Sequence, residues 1–417
     1  MTTTMPVMMQ QLLDIPGVRV LSVEINEQEI NLQVESTQHW AICHKCGRRA
    51  TEHHCDGEKL RLRHLPVFNR PVYLTLQTKR YRCLHCNDRP TTTQRGDWYD
   101  TDAHCTTAFA DHRLLEVVGS TLSEVERKHG VSYHVLRGLL LRRVSARVDW
   151  TKIKQLRILG IDDISLLKGH RDFVTTVSTQ DEAGHPVGLA VLDGREKETV
   201  AAFLPSLPEE LRAQVEQACT DMYAGDANAV KEVWPHADLV IDRFHVAKGY
   251  RSAVDDLRKS EMKEVKASLK PEEDAGFKGV MWMLRRNSDD LTTEEQQLLE
   301  LLFEGSPLLR KAYKLREKLT AIFETKDTKE SARQAIHSSI QSVKCSGLAC
   351  FDKFLVTLDN WMDEITNYFI SRQTSGWVEG FNNKIKVLKR RCYGINSAEM
   401  LFRRLFLDPR GAEAFTA

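Results

Sequence analysis

Three apolar stretches stand in a row: QLRILGIDDISLL (155–167), RDFVTTVSTQ (171–180) and PVGLAVLDGR (186–195). Each is short, rich in Val, Ile, Leu and Thr, and bounded by Gly/Asp turns, so each reads as a strand. Residues 196–213 have helical composition. VEQACTDMY (215–223) is a fourth strand candidate that runs up to Asp221, residues 225–233 a short helix, and ADLVIDRFHV (237–246) a fifth strand. The order β-β-β-α-β-α-β predicts three antiparallel strands followed by alternating units.

That order is expected of an RNase H-like core, here residues 155–250. Residues 251–370 are helical in composition, as in LTTEEQQLLELLFE and FDKFLVTLDNWMDEITNYF, and are expected to form a helical insertion. Residues 371–417 hold a final helix from about Trp377 to Arg391 that returns to the core. Residues 1–100 read as N-terminal strands with a cysteine module, and residues 88–104 as a polar linker. Within 105–150, Gly130 ends one short helix and Ser132 caps the next, which carries Arg137, Arg142 and Arg143. This layout is that of a helix-turn-helix or of a plain helical hairpin. The fold class expected is multidomain α+β: a zinc-binding β module, a helix-turn-helix segment, and an RNase H-like α/β core interrupted by helices.

The module at the N-terminus carries two CxxC pairs, Cys43/Cys46 and Cys83/Cys86, with 36 residues between them. In a reducing compartment such pairs read as zinc ligands rather than disulfides. A spacer of that length requires a small sheet to bring them together, and VYLTLQTKRYRC alternates as a strand would. The other six of the ten cysteines are scattered. No apolar run approaches the ~20 residues of a membrane span. MTTTMPVMMQQLLDIPG has neither a basic n-region nor a long apolar core, so a cytoplasmic protein is expected.

Charge is balanced overall at +1 but unevenly spread. Residues 41–95 hold 12 Lys/Arg against 4 Asp/Glu, and residues 377–404 hold 7 against 2. Two basic islands in a neutral chain point to a localised polyanion, with nucleic acid the leading candidate.

Three acids stand where solvation does not explain them. Asp162 ends the run Ile158–Ile161, Asp221 ends Val215–Thr220, and Glu379 opens the basic helix SGWVEGFNNKIKVLKRR. Carboxylates gathered at strand ends are suited to hard divalent cations such as Mg²⁺. Two such ions activate a water or a 3′-OH and stabilise the leaving oxygen of a phosphoryl displacement. Helix capping and turn formation are the competing explanations. No GxxxxGK[ST] occurs, which disfavours a nucleotide-driven enzyme.

Taken together, RYRCLHC, LGIDDIS, TDMYAGDANAVKEVWPHADLVIDRFHVAKGY and SGWVEGFNNKIKVLKRRCYGI resemble, in order and over nearly the whole chain, the ISL-three family of insertion-sequence transposases. The resemblance implies a DDE triad of Asp162, Asp221 and Glu379 holding two Mg²⁺, beside a structural Zn²⁺ on the four cysteines. The family's usual Asp-Glu at the first position is here Asp162-Asp163. His245 matches a DxxH element and would contact the scissile phosphate or a flipped base, unless Asp242 and His245 cap the following helix. Trp377 would stack on a base or serve the core. Arg137, Arg142 and Arg143, with Asn382, Asn383, Lys384, Lys386, Lys389, Arg390 and Arg391, would face double-stranded DNA, both element ends and target. The implied protein is nucleoid-associated and a homodimer or larger synaptic assembly. It would bind terminal inverted repeats, free a 3′ end and transfer it. The alternative is a catalytically inactive zinc/helix-turn-helix regulator derived from a transposase.

Overall fold

A computed structural model of the 417-residue chain describes residues 4–167, 171–268, 279–325, 327–372, 376–392, 395 and 397–415. The chain divides into two compact units, one of residues 1–146, 391–393 and 403–417, the other of residues 147–390 and 394–402.

In the first unit a helix, α1 (Thr4–Leu13), precedes a hairpin of β1 (Val18–Ile25) and β2 (Ile30–Ser36). A small hairpin, β3 (Ala41–Ile42) and β4 (Arg49–Ala50), follows. Two long strands, β5 (Glu52–Val67) and β6 (Arg70–Arg82), pair antiparallel with bulges near His53, Asp56 and His64. Period-2 alternation in β6 buries Val72, Leu74 and Leu76 against Leu32, Val34 and Leu62, which makes the core of this sheet. The stretch expected as a linker is instead drawn into the sheet. β7 (Thr91–Thr93) pairs with β6, and β8 (Tyr99–Asp100) pairs with β9 (Cys105–Thr106). Gln94 Nε2 ties this segment to the carbonyls of Gln38 and Trp40 at 3.0 and 2.9 Å.

Three short helices follow: α2 (Thr107–Val117), α3 (Leu122–His129) and α4 (Tyr133–Arg143). Thr121 and Glu124 form a capping box at the start of α3, and Ser132 caps α4. Gly130 ends α3 at φ 58°, a conformation that costs a side chain dearly. Arg63 of β5 donates to the carbonyls of His129 and Gly130, both at 3.0 Å, so the turn between α3 and α4 is held to the sheet.

The second unit is built on five strands in the order β12-β11-β10-β13-β14: β10 (Ile158–Leu167), β11 (Arg171–Gln180), β12 (Pro186–Asp193), β13 (Gln217–Thr220) and β14 (Asp238–Ile241). The first three are antiparallel, and β13 and β14 join parallel to β10 and to each other. Helices α5 (Lys197–Phe203), α6 (Glu209–Arg212) and α7 (Ala224–Val233) supply Val200, Leu211, Ala227 and Val230 to one face, with Leu204 from the 3₁₀ turn after α5, over Leu159, Ile161 and Val177.

Beyond β14 every described element up to residue 372 is helical: α8 (Arg243–Ser268), α9 (Val280–Met283), α10 (Thr293–Gly305), α11 (Pro307–Glu324), α12 (Lys329–Ser346), α13 (Asp352–Asn360) and α14 (Met362–Ser371), with short 3₁₀ turns between. The fifth strand stops five residues earlier than its apolar run suggested. Asp242 accepts the Phe244 N–H at 3.0 Å and starts α8 at once. The chain then returns in α15 (Gly376–Arg391) and α16 (Ala398–Phe415). α15 lies close on β10 and β12 because both offer glycine. A Cβ on Gly160 would stand 2.5 Å from Val378 Cγ2, and one on Gly188 would stand 2.9 Å from Phe381 Cζ. No described helix is long and apolar enough to cross a membrane.

Candidate active site

Strand alternation divides the two neighbouring acids of β10. Gly160 faces α15, whereas Leu159 and Ile161 face α5 and α7. By the same period Asp162 falls on the α15 side and Asp163 on the α7 side. The hydrogen bonds agree. Asn382 of α15 donates its amide to Asp162 Oδ2. Thr176, opposite Asp162 in the ladder, lies 3.0 Å from the Asp162 carbonyl and 3.3 Å from Asn382 Oδ1. Thr175, opposite Asp163, donates to its carboxylate at 2.8 Å.

A cleft of about 450 Å³ opens here, lined by Asp162, Asp163, Asp221, Asp242, His245, Lys248, Glu379, Asn382, Lys386 and Lys389. It lies past the carboxyl ends of β13 and β14, where open sheets with parallel strands place ligands. A second hollow of about 360 Å³ sits at the other ends of these strands; its charged wall includes the ion pair of Arg157 with Glu216 at 2.8 Å.

The acids of the cleft carry unbalanced negative charge. Burial, reinforced by Asp221, raises the pKa of Asp162. Burial pushes Asp163 up to about 6, with Asp221 and Asp162 adding repulsion that Thr175 partly offsets. Asp226, in the first turn of α7, is pushed to about 8 by burial and then by Asp163, Asp221 and Asp162. Asp221 Oδ1 and both oxygens of Asp226 are buried without a hydrogen-bond partner. Orphaned carboxylate oxygens beside like charges are what a divalent cation would satisfy, and an all-oxygen donor set suits a hard ion. The acids fit such an ion by chemistry. They are not drawn tight, because among the described residues only the cysteines form a group of three or more ligand atoms within 4.8 Å of one another.

That group is Cys43, Cys46, Cys83 and Cys86. The turn of the β3–β4 hairpin, with Gly47 at φ 69°, presents the first pair, and the end of β6 presents the second. Sulfur separations are 3.9 Å for Cys43–Cys86, 3.6 Å for Cys46–Cys83 and 3.8 Å for Cys83–Cys86. A tetrahedron with Zn–S at about 2.3 Å has edges of about 3.8 Å, so the thiols fit zinc without rearrangement. The Cys46 backbone N–H is the main cause that lowers Cys43 to about 6, while burial raises Cys86 to about 12.

The other expected residues are distributed unevenly. Glu379 and His245 line the cleft, and Asp242 rather than His245 caps α8. Asn382, expected against DNA, is 2% exposed and bonded to Asp162, because α15 is drawn down onto β10. Trp377 packs with Cη2 toward Gly160, and its Nε1 is buried without a partner. Asn383, Lys384, Lys386 and Arg390 are exposed on α15, whereas Lys389 donates to the Ser165 carbonyl and Arg391 pairs with Asp408. In α4, Arg137 is exposed, but Arg142 pairs with Asp100 at 2.9 Å and Arg143 with Asp111 at 2.6 Å. Asp226 was missed. Its signal was a lone acid in the otherwise small and apolar start of AGDANAV.

Comparison with known proteins finds this chain similar to transposases. A family model described as transposase matches residues 159–405, from β10 into α16. The transposase for insertion sequence element IS1001 of Bordetella parapertussis is 28% identical over 383 residues, 90% of each chain. The transposase for insertion sequence element IS1557 of Mycobacterium tuberculosis is 25% identical, covering 88% of this chain and 86% of that one. The Drosophila P element transposase in its strand transfer complex matches with a TM-score of 0.41 at 12% identity, over 77% of this chain and 94% of that one. The chain belongs to the ISL-three family of transposases.

Proposed function

We propose that the protein is a DDE transposase with an RNase H-like core, in which Asp162, Asp221 and Glu379 hold a pair of Mg²⁺ ions. The observation that carries this reading is the cleft itself, which these three acids line together with Lys386, Lys389 and His245. Once bound, the ions supply activation of the attacking oxygen and stabilisation of the leaving one. Lys386 and Lys389 draw the DNA backbone to the acids, and His245 contacts the scissile phosphate. Water attacks phosphorus, the P–O3′ bond breaks, and the freed 3′-OH then attacks a phosphodiester of target DNA and expels its 3′ oxygen.

The four cysteines hold Zn²⁺ and keep the first unit folded. Helices α3 and α4 act as a helix-turn-helix that reads terminal inverted repeats; Arg137 reaches base edges and other basic side chains contact phosphates. Two element ends require a two-fold assembly, a dimer or larger, working at the nucleoid.

The test uses purified protein, DNA bearing the ends of its element, and Mg²⁺ on a denaturing gel. Wild type is expected to cut at the ends, and Glu379→Gln is expected to bind without cutting. Binding without cleavage by both, in Mg²⁺ and Mn²⁺ alike, would favour an inactive DNA-binding regulator.

A further inference from the structure

Asp226 has no role in the triad, yet both of its carboxylate oxygens are buried without a hydrogen-bond partner. It sits in the first turn of α7, on the face of the sheet that Asp163 shares, with a relative exposure of 0%. The charges that act on it are the carboxylates of Asp163, Asp221 and Asp162, in that order of strength. A buried acid is ordinarily paired with a cation or bonded to donors, and one left with neither is destabilising. The start of α7 supplies a partial positive charge, but its N–H groups do not bond this side chain either.

Building on the proposed triad, we infer that Asp226 belongs to the cation site, where it and Asp163 add two carboxylates to the three of the triad. Within reach of the charge of Asp163, it would supply an additional hard oxygen to a divalent ion held on the α7 side of β10. The orientation explains the doubled acid of β10: Asp162 serves the α15 side with Glu379, and Asp163 serves the α7 side with Asp226. A ligand set drawn from both faces of the strand would hold the ions before DNA arrives, rather than relying on scissile phosphate oxygens to complete the coordination.

The test is Mn²⁺ titration of the zinc-loaded full chain without DNA, followed by calorimetry and by the electron paramagnetic resonance of free Mn²⁺. Wild type, Asp226→Asn, Asp226→Leu, Asp162→Asn and Glu379→Gln are compared. Asp226→Asn is nearly isosteric and removes a buried charge, so its metal-free melting temperature should equal or exceed that of wild type. Its Mn²⁺ affinity should fall at least tenfold, and the thermal stabilisation by Mn²⁺ should shrink in step. Asp226→Leu should behave alike. Wild-type Mn²⁺ affinity in both Asp226 variants overturns the inference, whatever happens to cleavage. Wild-type affinity in Asp162→Asn and Glu379→Gln would instead overturn the triad, and the Asp226 titrations would still be decided on their own result.

Discussion

The amide of Asn382 donates to the carboxylate of Asp162 across the interface between α15 and β10. This bond joins the helix that carries Glu379 to the strand that carries the first acid. It makes Asn382 a positioning residue: its oxygen faces Thr176 and its nitrogen faces Asp162.

Replacing Asn382 by Leu should therefore release Asp162 without opening a cavity. A lost hydrogen bond to a charged group is worth about 1.5–3 kcal/mol, which corresponds to roughly a ten- to hundredfold loss if it is expressed in the transition state. End cleavage should fall by that factor while end binding persists. Unchanged cleavage by Asn382→Leu would show that Asp162 is held by the strand alone.

Gly160→Ala should destabilise the second unit. The new methyl would stand 2.5 Å from Val378 and 2.7 Å from Trp377, and overpacking of this kind costs about 1–3 kcal/mol. Thermal denaturation should show a lower Tm. Because Val378 precedes Glu379, cleavage should suffer more than stability accounts for.

Removing the thiol metal should disable DNA recognition before it disables the cleft. Metal analysis of wild type should find one zinc per chain, and Cys83→Ala should carry none. End binding in a gel-shift assay should be lost in that variant, and the helices of the second unit should remain by circular dichroism. Retained zinc in Cys83→Ala would remove this cysteine from the ligand set.

Acid should weaken the first unit through His64. Burial lowers its pKa to about 4, and its Nδ1 lies 2.8 Å from Thr106 Oγ1. Between about 6.5 and 4 the unfolded chain binds this proton and the folded chain does not, so stability falls as pH drops through that window. Urea unfolding at pH 7.5 and pH 5 should show a larger loss for wild type than for His64→Leu. Equal losses would place the acid sensitivity elsewhere.

The five strands and their order in the chain were legible because strand periodicity is a local signal, although Asp162, read as ending its apolar run, lies within β10 rather than at its end. The CxxC pairs were legible because ligand spacing is local too. What stayed hidden was set by distant partners. Asn382 reads as a DNA contact beside Lys384 and Lys386, and only the close approach permitted by Gly160 and Gly188 turns it inward. Arg142 and Arg143 read as a basic recognition surface, but Asp100 and Asp111 engage them. The segment 88–104 reads as linker by composition, yet edge pairing with β6 orders part of it. Asp226 carries no motif; its meaning comes from burial against acids that lie on other elements.

The bond between Asp162 and Asn382 spans 220 positions of chain. At a synthesis rate of about 5–20 residues per second, the first acid leaves the ribosome roughly 10–45 s before the helix that completes the cleft. Through that interval the sheet can fold while the third acid does not yet exist. On the proposed function, the nascent protein thus passes its early life as a harmless molecule, and the cutting site is assembled among the last steps of its own making.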